Sequence, residues 1–153
     1  MSGLGADWGR VEETLAEISG SYDRINRFIS LGFDLRLRER ALSLVGCDVN
    51  GRALDAGSGP GTFSHLALRR WQRADVIAME PLDVMASLSK LSIKSERFDV
   101  VRGVFEHMPF RSGTFDLVLT GFSIRDAIEL RAALSEIWRV IWQGGRYVFC
   151  DIA

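Results

Sequence analysis

Apolar residues return at steps of three and four through the first third of the chain. Leu15, Ile18, Tyr22, Ile25, Phe28 and Ile29 share one stripe, so the region from about Val11 to Val45 reads as helical. Gly32 divides it, and a second helix is expected from about Asp34 to Val45, ending near Gly46. Asp48-Val49-Asn50-Gly51 follows as a turn signal. The first ten residues are polar and are expected to be flexible.

The rhythm then changes to short apolar runs. Strands are expected at Arg52 to Ala56, Asp75 to Glu80, Phe98 to Arg102, Phe115 to Thr120 and Arg146 to Ile152. Helices are expected between them. One runs from about Gly61 to Trp71. A second opens at Asp83, with Met85, Leu88 and Leu91 on one side. A long third runs from about Asp126 to Trp142, with Leu130, Leu134, Ile137, Trp138 and Ile141 as its apolar face. Gln143-Gly144-Gly145 reads as its end, where glycine is favoured. Strands alternating with helices predict an α/β, Rossmann-like fold with a mostly parallel sheet and right-handed crossovers. The runs lack a polar face, as expected of strands covered by helices on both sides.

Composition narrows the classes. At 153 residues the chain suits one domain, residues 11–153, and 47% hydrophobic with 25% charged residues fits a soluble globular protein. Net charge is −1, so no global basic field draws in nucleic acid, and no nucleic-acid partner is expected. The densest basic runs, Arg36-Leu37-Arg38-Glu39-Arg40 and Arg69-Arg70, read as solvated helix faces. Cys47 and Cys150 lack metal-ligand spacing and read as reduced thiols. With no apolar leader and no run approaching the roughly 18 residues of a membrane span, a cytoplasmic protein is expected.

The chemistry starts at Leu54-Asp55-Ala56-Gly57-Ser58-Gly59-Pro60-Gly61-Thr62, a buried strand running into a glycine-rich turn and a helix. Glycine tolerates φ > 0 and removes side chains that would block a nucleoside cofactor. Asp55 places a charge at a strand end, where burial needs a reason. A dinucleotide fingerprint has its third glycine three positions after its second. Here Gly61 follows Gly59 by two, and Thr62 stands where that third glycine would be. An acid followed by G-x-G-x-G resembles the S-adenosylmethionine loop of class I methyltransferases. Glu80, ending the second strand, can accept both ribose hydroxyls, with Pro81 beside it. Gly103-Val104-Phe105-Glu106-His107-Met108-Pro109-Phe110 resembles the adenine loop of the same enzymes, usually G-D-A-x-x-L-P-F. Val104 departs from it, standing where an acid normally bonds the adenine amino group, which leaves the backbone of Phe105 and stacking to hold the base.

Two further stretches point to one family. Tyr22-Asp23-Arg24-Ile25-Asn26-Arg27-Phe28-Ile29-Ser30-Leu31-Gly32 resembles the Y-D-x-x-N-x-x-x-S-x-G element of the ubiquinone/menaquinone biosynthesis C-methyltransferases (UbiE-type). Gly121-Phe122-Ser123-Ile124-Arg125-Asp126 is similar to that family's F-G-x-R-N/D segment, and Trp138 to Arg146 to its R-V-L-K-P-G-G. The resemblance runs from about Ser21 to the C-terminus. It implies a helical lid over residues 11–46, with Tyr22 and Asn26 facing the cofactor, and an α/β core over 51–153. It implies that Asp55, Gly57, Gly59 and Gly61 line the methionine end, with Thr62 at the start of the next helix, and that Ser58, Thr62, Thr120 and Ser123 also belong to the cofactor site. It implies a small aromatic or lipophilic, quinol-like methyl acceptor. Arg125 then suits a phenolate-stabilising cation, since it stays charged. His107 suits a base, histidine being the side chain type most used for that role near neutral pH. Phe105, Phe110, Phe122 and Ile124 are candidate pocket walls. A complete fold of this class has seven strands, so a chain ending near strand five is expected to leave an apolar edge. Three readings compete here: the chain is a fragment of a longer protein, a second copy joins or covers the edge, or a separate partner chain completes the sheet. The competing reading is a cofactor-binding partner or regulatory module with weak catalysis.

Overall fold

In a computed structural model of the chain, residues 33–151 are described. The expected stripe from Val11 to Ile29, with Tyr22 and Asn26, lies outside them. The elements in order are α1 (Phe33–Ser43), β1 (Arg52–Ala56), α2 (Thr62–Arg70), β2 (Asp75–Glu80), α3 (Asp83–Ser92), β3 (Phe98–Arg102), β4 (Phe115–Gly121), a 3-10 turn (Ile124–Asp126), α4 (Leu130–Val140) and β5 (Ile141–Cys150). The five strands form one sheet in the order β3-β2-β1-β4-β5, and every pairing is parallel. Such an order arises when two βαβ halves run outward from a central β1, and it leaves a crevice at the carboxyl ends beside β1.

Alternate residues of the strands feed two cores. On one face Ala53, Val76, Leu117 and Leu119 pack with Leu42, Val45, Phe63, Ala67 and Trp71. On the other, Leu54, Ala56, Met79 and Val118 pack with Ala133, Ile137 and Val140 of α4. The expected cover on both sides holds for β1, β2 and β4. Outer β3 and β5 carry exposed residues at Asp99, Arg102, Trp142 and Phe149. Among the described residues no helix is long and apolar enough to cross a membrane.

The last helix and strand differ from expectation. The helix begins at Leu130, because the Glu129 carboxylate accepts the N–H groups of Arg131 and Ala132 and caps it there. It ends at Val140, and Ile141 starts β5 instead of closing the helix. Gly144 and Gly145 make no helix cap. Gly144 has φ 104, and a Cβ on Gly145 would lie 2.7 Å from Ile141 Cγ2 and 3.0 Å from the carbonyls of Phe115 and Asp116. They form a bulge that shifts the β4/β5 register between Phe115↔Ile141 and Leu117↔Arg146. The apolar face also narrows. Ala133, Ile137 and Val140 are buried, whereas Leu130 and Trp138 are exposed, Trp138 at 65%. Leu91 of α3 is likewise exposed.

This packing sets a test. Ile137→Ala, which empties a fully buried site, is expected to lower stability in urea unfolding by about 2–5 kcal/mol. Trp138→Ala, one residue on and facing solvent, is expected to change it by about 0.5 kcal/mol or less.

Candidate functional site

The glycine turn is built where β1 meets α2. Gly57, Gly59 and Gly61 take φ values of 67, 53 and 90, a region costly for side chains. Each is glycine for its own reason. A Cβ on Gly57 would lie 2.6 Å from Ser123 Cβ and 3.0 Å from Phe105 Cζ. One on Gly61 would meet Ile93 and Ser89 at 2.9 and 3.0 Å. One on Gly59 would meet nothing within 4 Å, so that glycine faces the open crevice. The Met79 carbonyl accepts both Gly57 N–H (2.8 Å) and Ser58 N–H (3.1 Å), which ties the turn to the end of β2.

Two carboxylates hold this turn. Asp55, 1% exposed, accepts Ser64 N–H (2.9 Å) and Ser64 Oγ–H (2.7 Å) on Oδ2. Ser64 is the third residue of α2, whose own N-cap, Gly61, has no capping side chain. Asp55 therefore caps α2 from the strand that precedes it, where the helix dipole favours a negative charge. Glu80, 4% exposed, accepts Gly59 N–H on Oε2 (2.8 Å) and Leu82 N–H on Oε1 (3.0 Å). Burial pushes the Asp55 carboxyl above its usual range, opposed by the Ser64 hydroxyl and the charge of Arg38. Burial raises Glu80 too, opposed by its two N–H donors. A raised carboxyl holds its proton more tightly folded than unfolded, so each subtracts stability as pH rises through its folded value.

The loop after β3 closes the next side. Val104 is half-buried and pairs as a short bridge with His107. Phe105 is buried with its ring against Gly57. Glu106 accepts the N–H groups of Ile128 and Glu129, and Met108 N–H donates to Glu136, which Arg139 grips in turn. The loop is thus pinned to α4. His107 is exposed, and its charge acts on Glu136. The Pro81 carbonyl accepts from Arg102, and Thr62 is half-buried at the first position of α2. Phe105, Phe110, Phe122 and Ile124 all pack against the two cores, Phe110 edge-on to Phe115 with centroids 4.9 Å apart.

At the ends of β4 and β5, Thr120 Oγ1 lies 2.8 Å from Tyr147 Oη, and Ser123 Oγ–H donates to the Ala56 carbonyl (3.0 Å). Arg125 Nη1 is 3.2 Å from Asp151 Oδ1. Phe122 between them has φ 60, a strained value for an aromatic residue. Strain of this kind persists where surrounding contacts over-determine the backbone.

Sequence reasoning missed Ser64, Tyr147, Asp151 and Arg38. Ser64 carried a readable signal, a hydroxyl in the first turn of a helix lacking its own cap. Arg38 was expected to be solvated, as Arg36 and Arg40 are. Instead its guanidinium lies over the rings of Phe63 and Phe122, 5.3 and 5.0 Å from their centroids. Helical rotation brings one arginine of the three inward.

These residues suit an adenosine cofactor with an amino-acid tail. Asp55 Oδ1 and Ser58 Oγ are buried without hydrogen-bond partners, and a side chain on Gly59 would enter open space. Buried polar atoms left unpaired are costly and fit a ligand that completes them. Gly57→Ala is expected to cost about 1–3 kcal/mol by overpacking against Ser123, measured by urea unfolding. Gly59→Ala, strained only in φ, is expected to cost about 1–2 kcal/mol and to weaken S-adenosylhomocysteine binding.

Comparison with known proteins agrees. Residues 54–149 match the methyltransferase domain family. The chain is 33% identical over 147 residues to a demethylmenaquinone methyltransferase from Roseiflexus castenholzii, covering 94% of this chain and 60% of that protein. It is 28% identical over 158 residues to the ubiquinone/menaquinone biosynthesis C-methyltransferase UbiE of a Geobacter species, covering 100% and 67%. It therefore spans about 60–67% of the length of these relatives. Among solved structures, geranyl diphosphate C-methyltransferase from Streptomyces coelicolor, in complex with S-adenosyl-L-homocysteine, superposes with a TM-score of 0.66. The identity is 21%, over 73% of this chain and 42% of that one. With the sheet order, the glycine turn and the paired carboxylates in place, the chain belongs to the methyltransferase domain family of S-adenosylmethionine-dependent proteins.

Proposed function

We propose that this chain transfers a methyl group from S-adenosylmethionine to a small aromatic or lipophilic acceptor of the hydroquinone type. The observation that carries the reading is the glycine turn held by Glu80 on one side and Ser123 on the other, with Arg125 two residues beyond. The names of the relatives support a quinol acceptor.

S-adenosylmethionine supplies a methyl group on a sulfonium, already activated for transfer. What remains for the chain is alignment, exclusion of water and control of one proton. A ring carbon of a hydroquinone becomes nucleophilic once a neighbouring hydroxyl is deprotonated. Arg125, always charged, would stabilise the resulting phenolate oxygen. Asp151 steadies that guanidinium from the end of β5. The proton acceptor is proposed as His107, exposed on the loop after β3 that is fastened to α4.

The second reading, a cofactor-binding module with weak turnover, is favoured by Val104, which offers the adenine no carboxylate. Binding and turnover separate the two. Titration calorimetry is expected to show S-adenosylhomocysteine binding and no NAD binding. The reverse result would sink the methyltransferase reading. Glu80→Gln, left with one acceptor oxygen for two N–H donors and the ribose, is expected to weaken that binding at least tenfold, about 1.4 kcal/mol. With labelled methyl donor and a demethylated quinol, Arg125→Ala is expected to lower kcat by roughly 10²–10³ while cofactor affinity stays unchanged. Tight binding with no transfer to any quinol would favour the module instead.

A further inference from the structure

The turn that carries Arg125 is lightly held. Arg125, Asp126, Ile128 and Glu129 are exposed, while Ile124 and Ala127 are half-buried against the core. Its own hydrogen bonds are local, from Asp126 N–H to the Ser123 carbonyl (3.0 Å) and from Ala127 N–H to the Ile124 carbonyl (3.2 Å). Among the described residues, the backbone bonds that leave residues 124–129 for a distant part of the sequence both end on one atom. Glu106 Oε1 accepts Ile128 N–H at 2.7 Å and Glu129 N–H at 3.1 Å. A carboxylate oxygen bonded by two successive N–H groups is a strong, directional tie. Segments with few buried contacts open easily, so such a tie decides where the segment rests.

Glu106 itself belongs to the opposite wall of the crevice. Arg102, the last residue of β3, pairs in register with Glu80. The loop that starts at Gly103 therefore begins one strand spacing, about 5 Å, from the carboxylate that holds Gly59. Phe105, one residue before Glu106, is buried with its ring against Gly57. A ligand held by Glu80 and the glycine turn thus borders the loop whose next residue grips the Arg125 turn. The loop's second fastening, through Glu136 and Arg139 to Met108 and Phe110, acts further along α4 and does not reach that turn.

Resting on the methyl-transfer reading above, we propose that Glu106 is a positioning residue that registers the Arg125 turn against the cofactor-side loop, so that filling the cofactor site steadies the acceptor-side cation. The ion pair of Arg125 with Asp151 holds the guanidinium to the end of β5, and Glu106 holds the backbone beneath it to the loop. One carboxylate then couples the two sites, and the coupling is reciprocal: an acceptor bound at Arg125 strengthens cofactor binding by the same factor.

Quenched-flow hydrogen exchange with and without S-adenosylhomocysteine tests this. The reporters are the amides of Asp126 and Ala127, which bond within the turn and not to Glu106, so they report its position and not the loss of an acceptor. In wild-type protein the ligand is expected to slow their exchange about fivefold or more, together with that of residues 103–110. In Glu106→Ala the slowing at 103–110 is expected to remain, and that at Asp126 and Ala127 to fall below about twofold. Glu106→Gln, whose amide oxygen still accepts both bonds, is expected to keep it. If Glu106→Ala does not fold, Glu106→Asp, one methylene short of those donors, carries the same test. An unchanged response at Asp126 and Ala127 in the variant would overturn the proposal, as would wild-type protein that binds the ligand without slowing them. Loss of ligand binding in Glu106→Ala would make Glu106 part of the cofactor site itself and overturn it too. Wild-type protein that binds no S-adenosylhomocysteine would overturn the cofactor reading, a result distinguishable because it appears before any substitution.

Discussion

The buried carboxylate of Asp55 organises the rest of the site. It stands at the end of the central strand and closes the first turn of α2 through both donors of Ser64. That pair of bonds fixes where the helix begins relative to β1, and the glycine turn is the chain that must fit between them. Burial opposes the charge, while the helix terminus and Arg38 support it. The carboxylate is thus held at a cost of burial that the donors at the helix start offset only in part.

From that junction the other parts acquire their positions. Glu80 reaches Gly59 from the β2 side, and Ser123 reaches Ala56 from the β4 side. The turn is held from two neighbouring strands, with its open face at Gly59. The β3 loop is fastened to α4 by Glu106, Glu136 and Arg139, so the wall opposite the turn rests on a helix.

Much of this was legible in the sequence where one period dominated. The bounds of β1, β2 and β3 match the apolar runs, because in a sheet covered on both faces burial itself marks the strand. The junction at Val140 and Ile141 was not legible. Ile137, Trp138 and Ile141 fit a helical step, and only the contact of Gly145 with the β4 carbonyls shows that the chain has already turned to strand. In the site, the glycines and Glu80 were visible as residue types at strand ends. The hold of Glu80 on Gly59 was not, since it depends on loop geometry. Arg38 was hidden among like neighbours, because the charge pattern of a helix does not say which arginine rotates inward.

The strand order also governs the sequence in which the pieces can meet. Ala53 pairs with Val76 across one short crossover and with Leu117 only after most of the domain has been threaded. Closing the longer loop costs more entropy before any contact repays it. The half of the crevice bordered by β2 can therefore assemble early on a growing chain, while the half bordered by β4 waits for late-made residues. Until β4 docks, Gly57 has no Ser123 against it, and the turn has only one of its two walls.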